Sequence, residues 1–289
     1  MTQKLAVAIV HGVGSQKATF AKQLAEALKH RFGHELGGEV PDPESELLIR
    51  GVYWAKVLEA AENELKARTE PVGGLHWDEL RDVFIDLGGD AIAYQPDEKG
   101  RRDTYVEIHK TFAGTLKHLA ADAGGDAPLC IIAHSLGTVI ASNYVYDLQA
   151  NQAPQEVAVL GGGTALERGE TLSLLYTMGS PIAIWSLRYP DFGTPIAFPP
   201  PGLAGPTLAV AEWVNLFDRD DVVAYPLRGL NAKYAKAVTE DLQINVGNLF
   251  VSWSPLTHTR YWTDRGVIAR LTDGLVRTWR AANASGSTP

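Results

Sequence analysis

A serine lies at the junction between an apolar run and a helix-forming segment near the middle of the chain. The apolar run covers residues 129–133, Ser135 follows it, and residues 138–141 favour a helix. A strand that turns abruptly into a helix strains the backbone at the turn and pushes that residue's side chain above the sheet. Such a turn needs small residues two positions before and after the serine, and Ala133 and Gly137 occupy them. The pattern therefore presents the Ser135 hydroxyl as a candidate nucleophile.

This junction resembles the nucleophile turn of the α/β-hydrolase family, whose pattern is Gly-x-Ser-x-Gly. Ala133 departs from that pattern by one methyl group. The resemblance implies that Ser135 attacks a carbonyl carbon, that a histidine removes its proton, and that a carboxylate orients the histidine. It also implies the order serine, acid, histidine along the chain. An ordinary strand-to-helix turn that happens to contain a serine is the alternative interpretation.

The first apolar run covers residues 5–10, and a glycine-containing turn follows it. The sequence His-Gly-Val-Gly at residues 11–14 resembles the H-G-x-G loop of lipases and esterases, which supplies one N–H of the oxyanion hole. The resemblance implies that the backbone amides of Val13 and Leu136 stabilise the charge that develops on the substrate oxygen. A nucleotide-binding turn is a poorer interpretation, because neither a third glycine at the Rossmann spacing nor a Gly-Lys-Ser/Thr sequence follows.

The proton acceptor is predicted from its position in the chain. His258 is the only histidine beyond the late predicted strands, and it lies just before the apolar stripe of a C-terminal helix. The resemblance places the base of the family in a loop at this point. We expect His11 and His134 to have structural or pocket-lining roles instead.

Three aspartates compete for the role of the acid. Asp218, Asp220 and Asp221 follow the strand predicted at residues 209–217. We favour Asp220, because the acid of the family opens an Asp-x-Val-Val-like segment and residues 220–223 match it. Asp221 starts this segment one residue late. Asp218 ends the strand, and we expect its side chain to accept backbone N–H bonds in the turn.

The candidate catalytic residues can meet only if the strands that precede them end at the same edge of a sheet. Short β-branched runs alternate with helical stripes, which is typical of a parallel sheet with helices on both faces. The sequence therefore predicts a doubly wound α/β fold, trimmed at its N-terminal edge because one strand precedes the glycine turn where larger family members have more. The predicted strands cover residues 5–10, 47–54, 129–133, 172–178 and 209–217, and the predicted helices contain the apolar stripes at residues 20–32, 58–65, 105–119 and 267–279.

Length and composition favour one domain at residues 1–282, followed by a disordered tail at residues 283–289. The net charge of −8, with no cluster of Lys or Arg, argues against nucleic acid and anionic membrane surfaces as partners. The single cysteine, Cys130, forms no internal disulfide. The apolar run at residues 5–10 is too short for a signal-peptide core or a membrane span. The sequence therefore predicts a cytoplasmic protein.

Aromatic residues near strand ends and in predicted loops are candidates for contacts with a substrate. Core packing is the alternative for each of them. The segment at residues 186–206 is dense in Pro and Gly from residue 190 onward, and it is a candidate lid. The main aromatic candidates are Trp54, Tyr94, Trp185 and Phe192, and Trp253 and Trp262 are further ones.

The leading hypothesis is hydrolysis of a small-molecule ester or other acyl substrate through an acyl-enzyme intermediate. No cofactor or metal is expected, since the chain has a single cysteine and no Cys/His cluster with the ligand spacing of a zinc site. An amidase, thioesterase or peptidase would use the same residues. A noncatalytic interaction module on the same fold is the second class of function, and it predicts damage to the triad. Composition and motifs leave the substrate and the oligomeric state open.

Overall fold

Six parallel strands form the sheet of the computed structural model. The structure describes residues 2–13, 16–59, 103–246, 258 and 260–284, together with Glu64, Arg68, Ala93 and Tyr94. The strands are β1 (Leu5–Val10), β2 (Leu47–Val52), β3 (Leu129–His134), β4 (Leu172–Met178), β5 (Glu212–Asp218) and β6 (Glu240–Ile244), in the spatial order β2-β1-β3-β4-β5-β6.

Helices connect the strands and flank the sheet. In the described segments they are α1 (Lys22–Glu35), α2 (Asp103–Ala123), α3 (Leu136–Gln149), α4 (Gln155–Leu160), α5 (Ile182–Ser186), α6 (Ala232–Ala237) and α7 (Arg265–Asn283). Short 3₁₀ turns cover Pro43–Glu46, Ala55–Val57, Pro190–Phe192, Pro206–Val210 and Arg260–Trp262. No helix among these residues is both long enough and apolar enough to cross a membrane.

Strand β1 shows why the sheet is covered on both faces. All six of its residues are apolar and at most 1% exposed. Because side chains alternate along a strand, its odd-numbered residues pack with α1 and α7, and its even-numbered residues pack with α2 and α3. Burial on both faces requires a continuous apolar run rather than an alternating one. The predicted α/β class with a parallel sheet is confirmed.

The order of the strands reverses beside β1. Strand β2 lies on one side of β1, and β3 to β6 extend from its other side. Ligands of open α/β sheets bind outside the carboxyl ends of the strands at such a switch point. In this chain, β1 leads into residues 11–13 and β3 leads into Ser135 at that place.

The boundaries of several elements differ from the prediction. Strand β2 ends at Val52, and β6 was not predicted because its alternation is short and its residues are mostly polar. The helix predicted through Leu65 lies outside the described residues. Helix α7 continues to Asn283, and the side chain of Asn283 accepts a 2.7 Å hydrogen bond from the backbone of Gln3. The start of the predicted disordered tail is therefore ordered.

The segment at residues 186–206 is largely a loop, as expected, but its centre is fixed to the body of the protein. The side-chain amide of Gln149 makes two hydrogen bonds, of 2.8 and 2.9 Å, with the backbone of Ala197. Gln149 ends the 14-residue helix α3, which places it about 20 Å from Ser135 at the other end. The centre of the predicted lid therefore does not lie over Ser135. Ile196, Phe198 and Leu203 are among its buried side chains.

Candidate active site

Ser135 occupies a strained turn between β3 and α3. Its backbone angles are φ 54° and ψ −132°, in a region that favours glycine and that other residues enter only when their surroundings hold them there. Its N–H donates to Met178 of β4 at 3.0 Å, and its carbonyl accepts from the N–H and the hydroxyl of Thr138 at 2.9 and 2.7 Å. The strained strand-to-helix turn expected from the sequence is present.

Two glycines allow the chain to approach this turn closely. A Cβ atom at Gly137 would lie 2.3 Å from the carbonyl oxygen of His11. A Cβ atom at Gly12 would lie 2.5 Å from the Cβ of Ser135. Real side chains do not fit at such distances, so the loop after β1 packs directly on the serine only because both positions are glycine.

The two predicted oxyanion donors belong to this contact. Val13 is half-buried in the loop that packs on Ser135. Leu136 is the first residue of α3, so its N–H has no acceptor within the helix. Gly14, the second glycine of the motif, lies outside the described residues.

His11 supports the loop as a neutral side chain. Its Nδ1–H donates to the carbonyl of Gly12 at 2.7 Å, which leaves Nε2 to accept from the backbone of Ala55 at 3.3 Å. Burial lowers the pKa of His11 to about 4, although the hydrogen bond to Gly12 opposes this shift. Trp54 stacks on the ring at 4.6 Å and donates from Nε1 to the carbonyl of His11 at 2.9 Å. The structural role expected for His11 agrees with these contacts.

His258 pairs with Asp221 at the same edge of the sheet. The Nδ1 atom of His258 lies 2.8 Å from Oδ2 of Asp221, whose side chain is 1% exposed. Burial tends to raise the pKa of Asp221. Hydrogen bonds to the carboxylate and the positive charge that His258 can carry outweigh this effect, and they hold the pKa below its ordinary value. The donors are His258, Val223 and Tyr261. Asp221 is therefore an ionised acceptor, and it fixes the proton of His258 on Nδ1.

The choice of Asp220 as the acid is wrong in this geometry. Asp220 is exposed, and its backbone N–H donates to Oδ1 of Asp218 at 2.9 Å. The turn is closed by a bond from the N–H of Asp221 to the carbonyl of Asp218, and it brings Asp221 back over the strand ends while Asp220 faces solvent. The role expected for Asp218, accepting N–H bonds in the turn, is confirmed.

Sequence reasoning missed Tyr261. Its hydroxyl donates to Oδ2 of Asp221 at 3.0 Å and accepts from the N–H of Asp218 at 3.0 Å. The signal that would have found it is its spacing of three residues from His258, about one helical turn. Burial and the charge of Asp221 raise the pKa of Tyr261 well above its ordinary value, so its hydroxyl keeps the proton that it donates.

Ser135 Oγ and His258 Nε2 are both buried and have no hydrogen-bond partner among the described residues. No hydrogen bond joins the two atoms in this structure. A buried polar atom without a partner costs about 1–3 kcal/mol, so such atoms are rare and often have a functional reason. Among the described residues, nothing bonds to the Ser135 hydroxyl or to Nε2 of His258, so the structure leaves one atom that can donate a proton and one that can accept it.

The aromatic candidates divide into two groups. Trp54 and Tyr94 are at most 1% exposed and belong to the core, so the prediction that they contact substrate is wrong for both. Their polar atoms bond within the protein, Trp54 to His11 and Tyr94 to His109. Core burial with internal hydrogen bonds is common for such residues.

Three other aromatic candidates, Trp185, Phe192 and Trp262, keep some exposure. Trp185 is half-buried on α5, which follows β4 at the edge of the sheet where Ser135 lies. Phe192 is half-buried in its 3₁₀ turn, and no described contact connects it with Ser135. Trp262 packs edge-on against His134 at 5.3 Å. Trp253 lies outside the described residues.

Neither the surface grooves nor the arrangement of possible metal ligands indicates a second functional site in the described part of the chain. A surface groove of about 460 Å³ lies beside the C-terminal end of α3, and it contains none of the predicted site residues. In the same residues, no group of three or more His, Cys, Asp or Glu side chains is placed to hold a metal ion.

The chain matches no family model, and no curated protein is significantly similar to it in sequence. The function therefore has to be inferred from the geometry around Ser135.

Proposed function

We propose that this chain is a serine hydrolase of the α/β-hydrolase fold, which cleaves a small-molecule carboxylic ester through an acyl-enzyme intermediate. One observation carries the proposal. A buried Asp221–His258 pair, joined at 2.8 Å, lies at the same sheet edge as a strained serine whose hydroxyl has no hydrogen-bond partner among the described residues. A histidine base oriented by a carboxylate, at the same edge of the sheet as a serine hydroxyl, is the arrangement that activates serine for attack on carbonyl carbon.

The reaction begins with transfer of the Ser135 proton to Nε2 of His258 as Oγ attacks the carbonyl carbon of the ester. Asp221 stabilises the imidazolium that results and keeps the ring in the required tautomer. His258 then returns the proton to the departing alkoxide, which leaves as an alcohol. Water gives its proton to His258, attacks the acyl-enzyme and releases the carboxylic acid, and the proton returns to Ser135.

The negative charge of the tetrahedral intermediate needs fixed donors. The N–H groups of Val13 and Leu136 are the proposed donors, because the loop after β1 packs directly on Ser135 and the N–H of Leu136 has no helical acceptor. The positive end of the dipole of α3 adds to their effect.

Chain order and topology support the same family. The nucleophile follows β3, the acid follows β5, and the base lies between β6 and α7, which is the order serine, acid, histidine of α/β-hydrolases. The glycine turn follows the first strand of the sheet, as in a member trimmed at its N-terminal edge.

The alternatives are distinguished by chemistry. Amides and thioesters are cleaved by the same groups, and only rates on matched substrates separate them from esters. A noncatalytic module has no use for a strained serine and two buried polar atoms that lack partners among the described residues, because both features lower stability. The intact Asp221–His258 pair favours the enzyme over the module.

Covalent labelling tests the proposal. A fluorophosphonate probe should form an adduct that mass mapping places on Ser135, and Ser135→Ala should lose both labelling and hydrolysis of p-nitrophenyl acetate. Ser45→Ala, which changes a serine in the distant 3₁₀ turn at Pro43–Glu46, is the matched control and should keep both. Labelling and hydrolysis that survive Ser135→Ala would overturn the proposal.

A further inference from the structure

We propose that His134 is a positioning residue, which holds the base His258 through its backbone carbonyl; this inference rests on the proposed hydrolase function. The Nε2 atom of His134 lies 2.6 Å from the carbonyl oxygen of His258. The two rings lie with their centroids 4.7 Å apart. The residue that immediately precedes the nucleophile therefore contacts the base directly.

The direction of this hydrogen bond is fixed by chemistry. A carbonyl oxygen only accepts, so Nε2 of His134 carries the proton and donates it. Burial, with the charge of His258, lowers the pKa of His134 to about 3, although the hydrogen bond to His258 and the Asp221 carboxylate oppose the shift. His134 is therefore neutral at about pH 7, and its Nδ1 atom carries no proton.

The other side of His134 faces the proposed oxyanion loop. A Cβ atom at Gly12 would lie 3.2 Å from Nδ1 of His134 and 3.1 Å from Oγ of Ser135. The ring of His134 therefore lies between the loop after β1 and the backbone of His258. One side chain connects three parts of the chain that must meet for the reaction.

Asp221 alone does not fix the position of Nε2 in His258. A single hydrogen bond at Nδ1 allows the ring to pivot about that bond, which swings Nε2 on the opposite side of the ring. A second attachment at the carbonyl of His258, made by His134, fixes the backbone from which the ring extends. A misplacement of about 1 Å in such a group costs on the order of 100-fold in rate. The two attachments together hold Nε2 relative to Ser135.

Two substitutions separate donation from packing. In His134→Gln the side-chain amide nitrogen reaches the former position of Nε2 and still donates, but it fills less space than the ring. His134→Phe fills the space of the ring without a donor. We expect His134→Gln to keep kcat within a few-fold, and His134→Phe to lower kcat on the order of 10- to 100-fold with little change in KM. His118→Phe, on the exposed side of α2, is the matched control and should match wild type. Melting temperatures show whether each variant folds.

Nuclear magnetic resonance tests the inference without relying on activity. In the wild-type protein, nitrogen chemical shifts should show His134 as the tautomer protonated on Nε2, and a downfield proton signal should report the bond between His258 and Asp221. That downfield signal should persist in His134→Gln and should broaden or disappear in His134→Phe.

Three results would overturn the role of His134. They are a proton on Nδ1 of His134, an unchanged downfield signal in His134→Phe, and a higher kcat in His134→Phe than in His134→Gln. Failure of the proposed function is a separate result, since it appears as labelling and hydrolysis that survive Ser135→Ala while the His134 tautomer stays as described.

Discussion

The hydroxyl of Tyr261 lies 3.0 Å from the same carboxylate oxygen of Asp221 that accepts the Nδ1–H of His258. Because the hydroxyl oxygen accepts from the backbone N–H of Asp218 at 3.0 Å, its own proton points at Asp221. This one oxygen, Oδ2, therefore receives two donors. Tyr261 helps to keep the carboxylate ionised in a buried position.

Tyr261→Phe removes one of these donors without changing the ring. We expect the free energy of unfolding to fall by about 1–3 kcal/mol. We also expect the pKa of Asp221 to rise, because the loss of a hydrogen-bond donor makes its charged form less stable. Chemical denaturation and the pH dependence of kcat measure the two effects. Tyr146→Phe changes an exposed tyrosine and is the control. Equal stability of Tyr261→Phe and wild type would contradict the role assigned to this hydroxyl.

Asp221→Asn and Asp220→Asn form a matched pair that identifies the acid. Asp221→Asn should lower kcat on the order of 10³- to 10⁴-fold, because the imidazole loses its counter-charge and its tautomer is no longer fixed. Asp220→Asn should leave kcat close to that of wild type, since Asp220 is exposed and only its backbone N–H makes a described contact. Initial rates on p-nitrophenyl acetate, with melting temperatures as the folding control, decide the matter. Full activity in Asp221→Asn would reject it as the acid.

Thr138 holds the strained carbonyl of Ser135, and Ser180 supports it. The hydroxyl of Thr138 donates to that carbonyl at 2.7 Å and lies 2.8 Å from the hydroxyl of Ser180. Thr138→Val keeps the shape but leaves Ser180 without this partner, so we expect a loss of about 1–3 kcal/mol in stability. Thr138→Ser keeps the hydroxyl and should lose less. Urea unfolding of both variants tests the prediction. Equal free energies of unfolding for Thr138→Val and Thr138→Ser would contradict it.

Buried neutral histidines should make the protein sensitive to mild acid. Burial lowers the pKa of His109 to about 3, below the unfolded value of about 6.5. The unfolded chain therefore binds protons that the folded protein does not. The stability is fully present above the unfolded pKa and is lost as the pH falls from there toward the folded pKa. Between pH 7 and pH 5 the loss is roughly 2 kcal/mol for each such histidine.

His109→Gln removes one of these titrations. The decrease in the free energy of unfolding between pH 7 and pH 5 should be smaller in this variant than in wild type by roughly 2 kcal/mol. His118→Gln, at an exposed position, should behave like wild type. An equal decrease in His109→Gln and wild type would show that His109 does not titrate in this way.

The buried, largely apolar strands were predictable from the sequence. β1, β3 and β4 are buried along their whole lengths, because both faces of a parallel sheet are covered. Such burial requires mostly apolar residues along the whole strand, and this pattern is visible in the sequence. β6 lies at the edge of the sheet, and all of its residues are partly or fully exposed. An edge strand of that kind leaves no clear pattern in the sequence.

Parts of the candidate site were not predictable for a different reason. Asp220 and Asp221 have the same side chain, and only the hydrogen-bonded turn after β5 determines which of them faces His258. Trp54 and Tyr94 lie close to the site in the chain, but hydrogen bonds to His11 and His109 satisfy their polar atoms within the core. Residue type and spacing do not encode such pairings.

The loop after β1 packs on Ser135, and the proposed base is His258, so the candidate site assembles from the two ends of the described chain. A ribosome that adds about 5–20 residues per second needs on the order of tens of seconds to synthesise the chain between them. Under the proposed function, the nascent chain has no hydrolytic activity during that interval. A truncated product that ends before residue 258 would carry the nucleophile without its base, and it would also lack α7, which covers one face of the sheet.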